Sequence, residues 1–192
     1  ADTVEVRARA RNIRATDIAW GLWFNTRVPA STRVYVPVAD VADVRIQSFA
    51  AAGIGPLSPD LEQGLFAIDH SALPAGITAR RGKVFLQPAA GWMAGFSGKQ
   101  LFIIRFPHHP RSAIHPEQAQ VELYLDEPAD PAAGLLEMEV HAPYRTLRPG
   151  EEMEAVEWWT VLPYDGPATR EAQAAFLCGE AARQLALLGC GA

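Results

Sequence analysis

The sequence predicts a mainly β protein, an antiparallel sandwich of the supersandwich type in outline, closed by one C-terminal α-helix. Three observations lead there. Short alternating or β-branched runs recur along most of the chain, Pro, Gly, Asp and Asn separate them, and a helical period sets in only after Pro167. At 192 residues there is enough chain for one substantial domain, read as a sandwich over 1–165 with a helical extension over 166–192 packed on or beside it.

The first element, TVEVRARARN, sets Val4, Val6, Ala8 and Ala10 on one face and Glu5, Arg7, Arg9 and Arg11 on the other, a half-buried strand with a charged outer side. IAWGLWFNTRV (18–28) follows as a second strand. Gly21, Trp23, Asn25 and Arg27 fall in one parity class; Ile18, Trp20, Leu22, Phe24 and Val28 fall in the other. Tryptophans on strands are more often core anchors, and that is the expectation for Trp20. Trp23, Asn25 and Arg27 instead form the set a sugar site uses: an aromatic plane, an amide and a fork of donors.

Further strands are expected at 32–38, 44–49, 77–88, 98–106, 120–126, 135–141 and 153–163, about nine in all. PLSPDLEQG (56–64) reads as a loop with a short helical turn, and FPHHPRSAIHPEQ (106–118) as a proline-punctuated loop. Trp92 sits among small residues that allow a turn, and is a candidate substrate contact. Arg105 ends the apolar strand LFIIRF, either as an anion contact or as a solvated strand end. Trp158 and Trp159, being adjacent on a strand, must point to opposite faces. Over 168–189 the stripe Ala174, Leu177, Ala181, Leu185 and Leu188 marks a helix that caps the sandwich or joins subunits into a homo-oligomer, with Pro167 opening it and Gly189 closing it.

Composition narrows the function classes. A formal charge of −5 without a basic stripe speaks against nucleic acid as partner, and no apolar run is long enough to span a membrane as a helix. Cys178 and Cys190 lie outside any metal-site spacing, and on one straight helix they would stand too far apart to be bridged. His108 and His109 lack a third local ligand, with His115 six residues on, so no metal is expected. No phosphate-binding glycine loop, dinucleotide fingerprint or nucleophile elbow is present, and no cofactor is implied. The chain opens ADTVEV, which fits either a removed targeting segment or a cut chain, and the compartment stays open between periplasmic or secreted and cytoplasmic.

The stretch with most chemical content is LLEMEVH (135–141). Alternation sends Leu136, Met138 and Val140 to one face and Glu137, Glu139 and His141 to the other. Carboxylates two positions apart on a strand can perturb each other's proton affinity and supply a base near neutral pH; the same row could equally be a solvated face.

Taken in order, WFNTRV, KVFLQPAAGWMAGF, VELYLD and LLEMEVHAPYRTLRPGEEMEAVEWWTV resemble the galactose mutarotase-like superfamily, the aldose 1-epimerase type of β-supersandwich, and within it bacterial branches in which a Glu-rich strand leads to L-x-PGE. The likeness covers roughly residues 4–163, with LRPGEEMEAVEWW its most specific part. It implies an isomerase with a sugar ligand and a general base at Glu137 or Glu139. The family's acid is a histidine whose place falls near Gly21 here, so His141, or one of His108, His109 and His115, would have to substitute. A carbohydrate-binding domain without catalysis, which has lost that histidine, is the alternative.

Overall fold

The computed structural model describes residues 2–49, 51–71, 73–128, 130 and 133–190, and the architecture is the expected one: antiparallel sheets packed as a sandwich with a helix at the C-terminal end. Seven strands form one sheet in the order β1 (Thr3–Arg11), β15 (Glu152–Pro163), β11 (Gln100–Arg105), β10 (Trp92–Ser97), β4 (Arg33–Pro37), β8 (Leu65–Ile68) and β7 (Pro59–Glu62). The second sheet runs β3 (Trp23–Pro29), β13 (Leu135–His141), β12 (Val121–Glu127), β9 (Ala79–Leu86) and β5 (Val44–Ser48), with the short β6 (Ile54–Gly55) pairing parallel to β9. A separate ribbon joins β2 (Ile18–Trp20) to β14 (Arg145–Leu147).

Burial makes this a three-layer molecule. Between the sheets, Val34, Val36, Met93 and Ile104 meet Val84, Leu123, Leu136, Met138 and Val140. The other face of the seven-stranded sheet is also dry over its central strands: Tyr35, Trp92, Ala94, Phe96, Leu101 and Ile103 pack under Leu177, Ala181 and Leu187 of the C-terminal segment. That segment is α1 (Arg170–Phe176), a π turn over Leu177–Ala181, and α2 (Ala182–Leu185). Its apolar stripe is thus spent on the protein's own sheet, while Leu188 at its end stays exposed. The outer face of the six-stranded sheet carries polar side chains in place of such an apolar layer, Glu122, Glu137, Glu139 and His141 among them.

Several sequence expectations need correction. The 18–28 strand is two strands: the chain breaks at Gly21 and Leu22, β2 leaves to pair with β14, and Trp20 is 55% exposed instead of buried. Residues 59–62 pair as β7 with β8, so no helical turn forms there. Trp92 is the first residue of a central strand, 2% exposed, its indole N–H donating to the Leu188 carbonyl at 2.7 Å. The helix ends at Ala186, which takes a left-handed φ of 53°, before Gly189 is reached. That reversal brings Cys190 back onto Cys178, and the two form a disulfide with Cα atoms 5.1 Å apart, which a straight helix would have forbidden.

The interior holds one carboxyl out of place. Glu157 of β15 shares the inward parity of Met153, Ala155 and Trp159 and is fully buried. Its Oε2 accepts from the Trp159 indole at 2.9 Å, while Oε1 has no partner. Burial pushes it up from 4.5 to about 7, the Trp159 hydrogen bond offsetting only part of the effect. The stabilisation that follows from a raised carboxyl is complete below its ordinary value and is lost as pH rises through the folded one. The contribution of Glu157 to stability should therefore fall by about 3 kcal/mol as pH rises from about 5 to about 8. Urea melts of wild type and Glu157→Gln across that range check this: the variant's stability should decline less.

Candidate functional site

Register on the open face of the six-stranded sheet aligns the polar residues in cross-strand rows. His141 stands opposite Trp23; Glu139 stands between Asn25 and Glu122, with Phe85 and Arg45 continuing that row; Glu137 stands between Arg27 and Tyr124, with Lys83 and Gln47 beyond. Directly opposed side chains on one sheet face are neighbours, and diagonal ones lie within reach of a long side chain. Lys83 uses such a diagonal. Its ammonium sits 2.7 Å from Glu122 Oε2 and 3.0 Å from Glu139 Oε2.

The two glutamates that alternation alone left equivalent are separated by their partners. Glu137 is paired with the exposed Arg27 at 2.9 Å. Glu139 is 1% exposed, and its Oε2 accepts from Lys83 and from the Trp23 indole at 2.9 Å, while its Oε1 has no partner. Glu122 is wholly buried and accepts from the Ala119 amide at 2.9 Å through Oε1. His141 Nε2 lies 3.5 Å from Glu122 Oε1 and 3.9 Å from Glu139 Oε2, the ring stacked beside that of Trp23 with 6.2 Å between centroids.

These surroundings drive the two buried carboxyls apart. Burial raises the proton affinity of Glu139; the hydrogen bond and charge of Lys83 and the indole of Trp23 do not cancel it, and the charge of Glu122 adds to it. For Glu122 burial also acts upward, but the nearby His141 imidazole, the Lys83 ammonium and the hydrogen bond from the Ala119 amide outweigh it, and its affinity falls below the ordinary carboxyl value. Burial alone would lower Lys83; the bonds to Glu122 and Glu139 reverse that, so the ammonium is retained. The two buried carboxyls are thus biased in opposite directions around one retained ammonium, an asymmetry of the kind that acid–base sites use.

Glu139 and His141 line an open cavity of about 400 Å³, together with Trp20, Gly21, Trp23, Lys83, His115, Gln118 and Tyr144. Trp20 and Trp23 are half exposed around it, at 55% and 51%. The sequence pointed to Trp23, Glu139 and His141, and the fold brings them together. Asn25 lies in the same row as Glu139, and Arg27 and Glu137 one row further along the strands. Trp92 and Arg105 are not part of it: they pair with each other across β10 and β11 in the other sheet, on the face turned to the C-terminal helix. Of the loop histidines only His115 reaches this cavity, while His108 contacts the Pro88 carbonyl at 2.9 Å.

Lys83, Glu122 and Tyr144 were not singled out from sequence, and Trp20 was expected in the core. Lys83 and Glu122 each sit at the outward parity of an alternating strand, KVFL and VELYL, the same signal that marked Glu139. Glu122, Glu139 and His141 also offer three ligand atoms within 4.8 Å of one another, the cluster among the described residues that could hold a metal ion. The Lys83 ammonium lies against two of the three, so a metal ion would have to displace it.

A family model described as Domain of unknown function (DUF4380) matches residues 1–162. No curated protein matches the chain. Among solved structures, a TPR-domain containing protein from Parabacteroides distasonis ATCC 8503 superposes with a TM-score of 0.50 and 15% identity over 86% of this chain and 28% of its own. A structure described as a "putative aldose 1-epimerase" from Escherichia coli K12 gives a TM-score of 0.42 and 15% identity over 84% of this chain and 57% of its own. The chain thus spans only about a quarter of the first structure and somewhat over half of the second, and at 15% identity the first likeness concerns the fold alone.

Removing the cation from the cluster should show what it does. Lys83→Met leaves two buried carboxyls facing each other without compensation, and a loss of about 3 kcal/mol is expected on the scale of broken buried pairs. Chemical denaturation at neutral pH reads this, and adding Glu122→Gln to Lys83→Met should restore part of the loss.

Proposed function

The chain belongs to the family described as Domain of unknown function (DUF4380), and we propose that in this member the Glu139 cavity recognises a carbohydrate and interconverts its anomers as an aldose mutarotase or epimerase does, with Glu139 as general base and His141 as acid. The observation that carries the reading is the partnering of Glu139. A carboxyl 1% exposed, raised by burial and with one oxygen unpartnered, lies in the lining of an open cavity whose rim carries two half-exposed indoles. Indole planes suit the apolar faces of a pyranose, and the amide of Gln118 and the hydroxyl of Tyr144 supply hydrogen-bonding groups for its hydroxyls.

The chemistry follows from two oxygens bonded to one carbon. Glu139 takes the proton of the anomeric hydroxyl, the bond between the anomeric carbon and the ring oxygen breaks, and the protonated imidazole of His141 gives its Nε2 proton to that oxygen. The open aldehyde turns about its first carbon–carbon bond. Closure on the other face then returns one proton to His141 and takes one from Glu139, leaving both as they began. With Nε2 and Oε2 3.9 Å apart, base and acid stand side by side, as neighbouring oxygens on one carbon require. Glu122 would pair with the imidazolium, at 3.5 Å, and Lys83 would hold the Glu139 carboxylate in place.

A second reading, a binding domain without catalysis, is favoured by one position. Gly21 lines the cavity, and a side-chain carbon built there would meet its neighbours only at ordinary contact distances, 3.6 Å and beyond, so the glycine is not dictated by crowding. The place where the resemblance puts an acid is empty of one.

Exchange-spectroscopy NMR of anomer interconversion across a panel of free aldoses separates the two. Catalysis predicts rates above buffer, a fall of about a hundredfold or more in Glu139→Gln, and a rate that climbs with pH through a midpoint above the ordinary glutamate range. Saturable binding with buffer-level rates, unchanged in the variant, would leave only the binding reading.

A further inference from the structure

The exposed apolar side chains of this molecule are not spread evenly. Ile13, Trp20, Trp23 and Tyr144 are four of its large exposed hydrophobic residues, Ile13 at 91%, and all four line two adjoining cavities. Trp23 and Tyr144 belong to the Glu139 cavity. Ile13 belongs to a second cavity of about 260 Å³, formed with Arg11, Asn12, Arg14, Ile18 and Leu147. Trp20 lines both. Contiguous exposed apolar surface of this kind, rimmed by polar groups, marks a binding surface more often than chance exposure.

The local fold explains why the second cavity exists. The break at Gly21 and Leu22 releases β2 from the sheet to pair with β14, placing Trp20 opposite Arg145 and Ile18 opposite Leu147. The turn after β1 is pinned beside this ribbon, with the buried Asn12 amide donating to the carbonyls of Thr16 and Leu147, both at 2.9 Å, and the Arg14 amide donating to Asn12 Oδ1 at 3.0 Å. A fully exposed isoleucine is thereby held on anchored backbone next to an exposed indole. An unattached loop would have little reason to be fastened there through a buried amide.

We propose that this second cavity is a subsite for the next ring of an extended ligand, so that the protein takes the end of an oligosaccharide, one ring at Glu139 and the following ring beyond Trp20 against Ile13, with Arg11 and Arg14 at its hydroxyls. The inference rests on the carbohydrate reading above and narrows its substrate class from free monosaccharides to short glycans. Its occupant is argued from continuity: the two cavities share Trp20, so one chain can cross from the first to the second. The second cavity joins an aliphatic side chain to two guanidinium groups, a mixture that suits a pyranose with its apolar face and its ring of hydroxyls.

Isothermal titration with monosaccharides (glucose, galactose, mannose, xylose) and with their β-1,4- and α-1,4-linked di- and trisaccharides tests it. At least one oligosaccharide should bind about tenfold or more tightly than its own monosaccharide, a difference of about 1.4 kcal/mol. In Ile13→Asp and Arg14→Ala, which touch only the second cavity, that preference should shrink toward unity. Equal affinity for a monosaccharide and its oligomers, or a preference that survives both variants, overturns the subsite while the Glu139 reading stands. Absence of binding by every sugar overturns both.

Discussion

Two carboxyls taken out of water, Glu122 and Glu139, face each other across β12 and β13, and the ammonium of Lys83 between them is what allows the pair to exist. Burying one charge without a partner costs several kcal/mol, and burying two like charges costs more. The cation does not treat the two alike. Glu122 also accepts from a backbone amide and faces His141, whereas Glu139 keeps one oxygen unpartnered. That asymmetry biases one group toward the anion and leaves the other with a raised proton affinity beside an open cavity.

The location of this cluster follows from how the layers are filled. The central strands of the seven-stranded sheet, β4, β10 and β11, are dry on both faces, packed by the second sheet on one side and by the C-terminal helix on the other. The outer face of the six-stranded sheet instead carries a row of polar side chains. Its cross-strand register then decides which charges meet, for a shift of one residue in β13 would turn Glu139 and His141 into the core and Met138 and Val140 outward. Hydrophobic burial on one face of β13 thus determines the chemistry on the other.

The same layering explains what could be read from sequence. Strands with one wet face, such as β1, β3 and β13, alternate visibly, and their parity came out as the structure has it, including the outward row of Trp23, Asn25 and Arg27. Strands dry on both faces carry no alternation: LFAI of β8 and WMAGF of β10 are buried throughout, so one was overlooked and Trp92 was read as a turn residue available to substrate. Trp20 was misplaced for a different reason. Whether a strand continues through Gly21 or breaks there depends on the partner β14, more than a hundred residues further on, which local pattern does not register. The disulfide was hidden likewise, because only the left-handed turn at Ala186 brings Cys190 back to Cys178. Of the site, the residues on the one suspect strand were legible, and their partners Lys83 and Glu122 were not, since pairing order assembles them.

Proton exchange at Glu139 is the point on which the functional reading turns, and it can be observed without any ligand. Carbon-detected NMR titration of the side-chain carboxyl carbons, with Glu139→Gln and Glu122→Gln used for assignment, follows both groups directly. The arrangement around Lys83 predicts that Glu139 titrates above the ordinary glutamate range while Glu122 titrates below it. Two carboxyls titrating together in the ordinary range, or Glu139 ionised well below it, would contradict the assignment of Glu139 as a base.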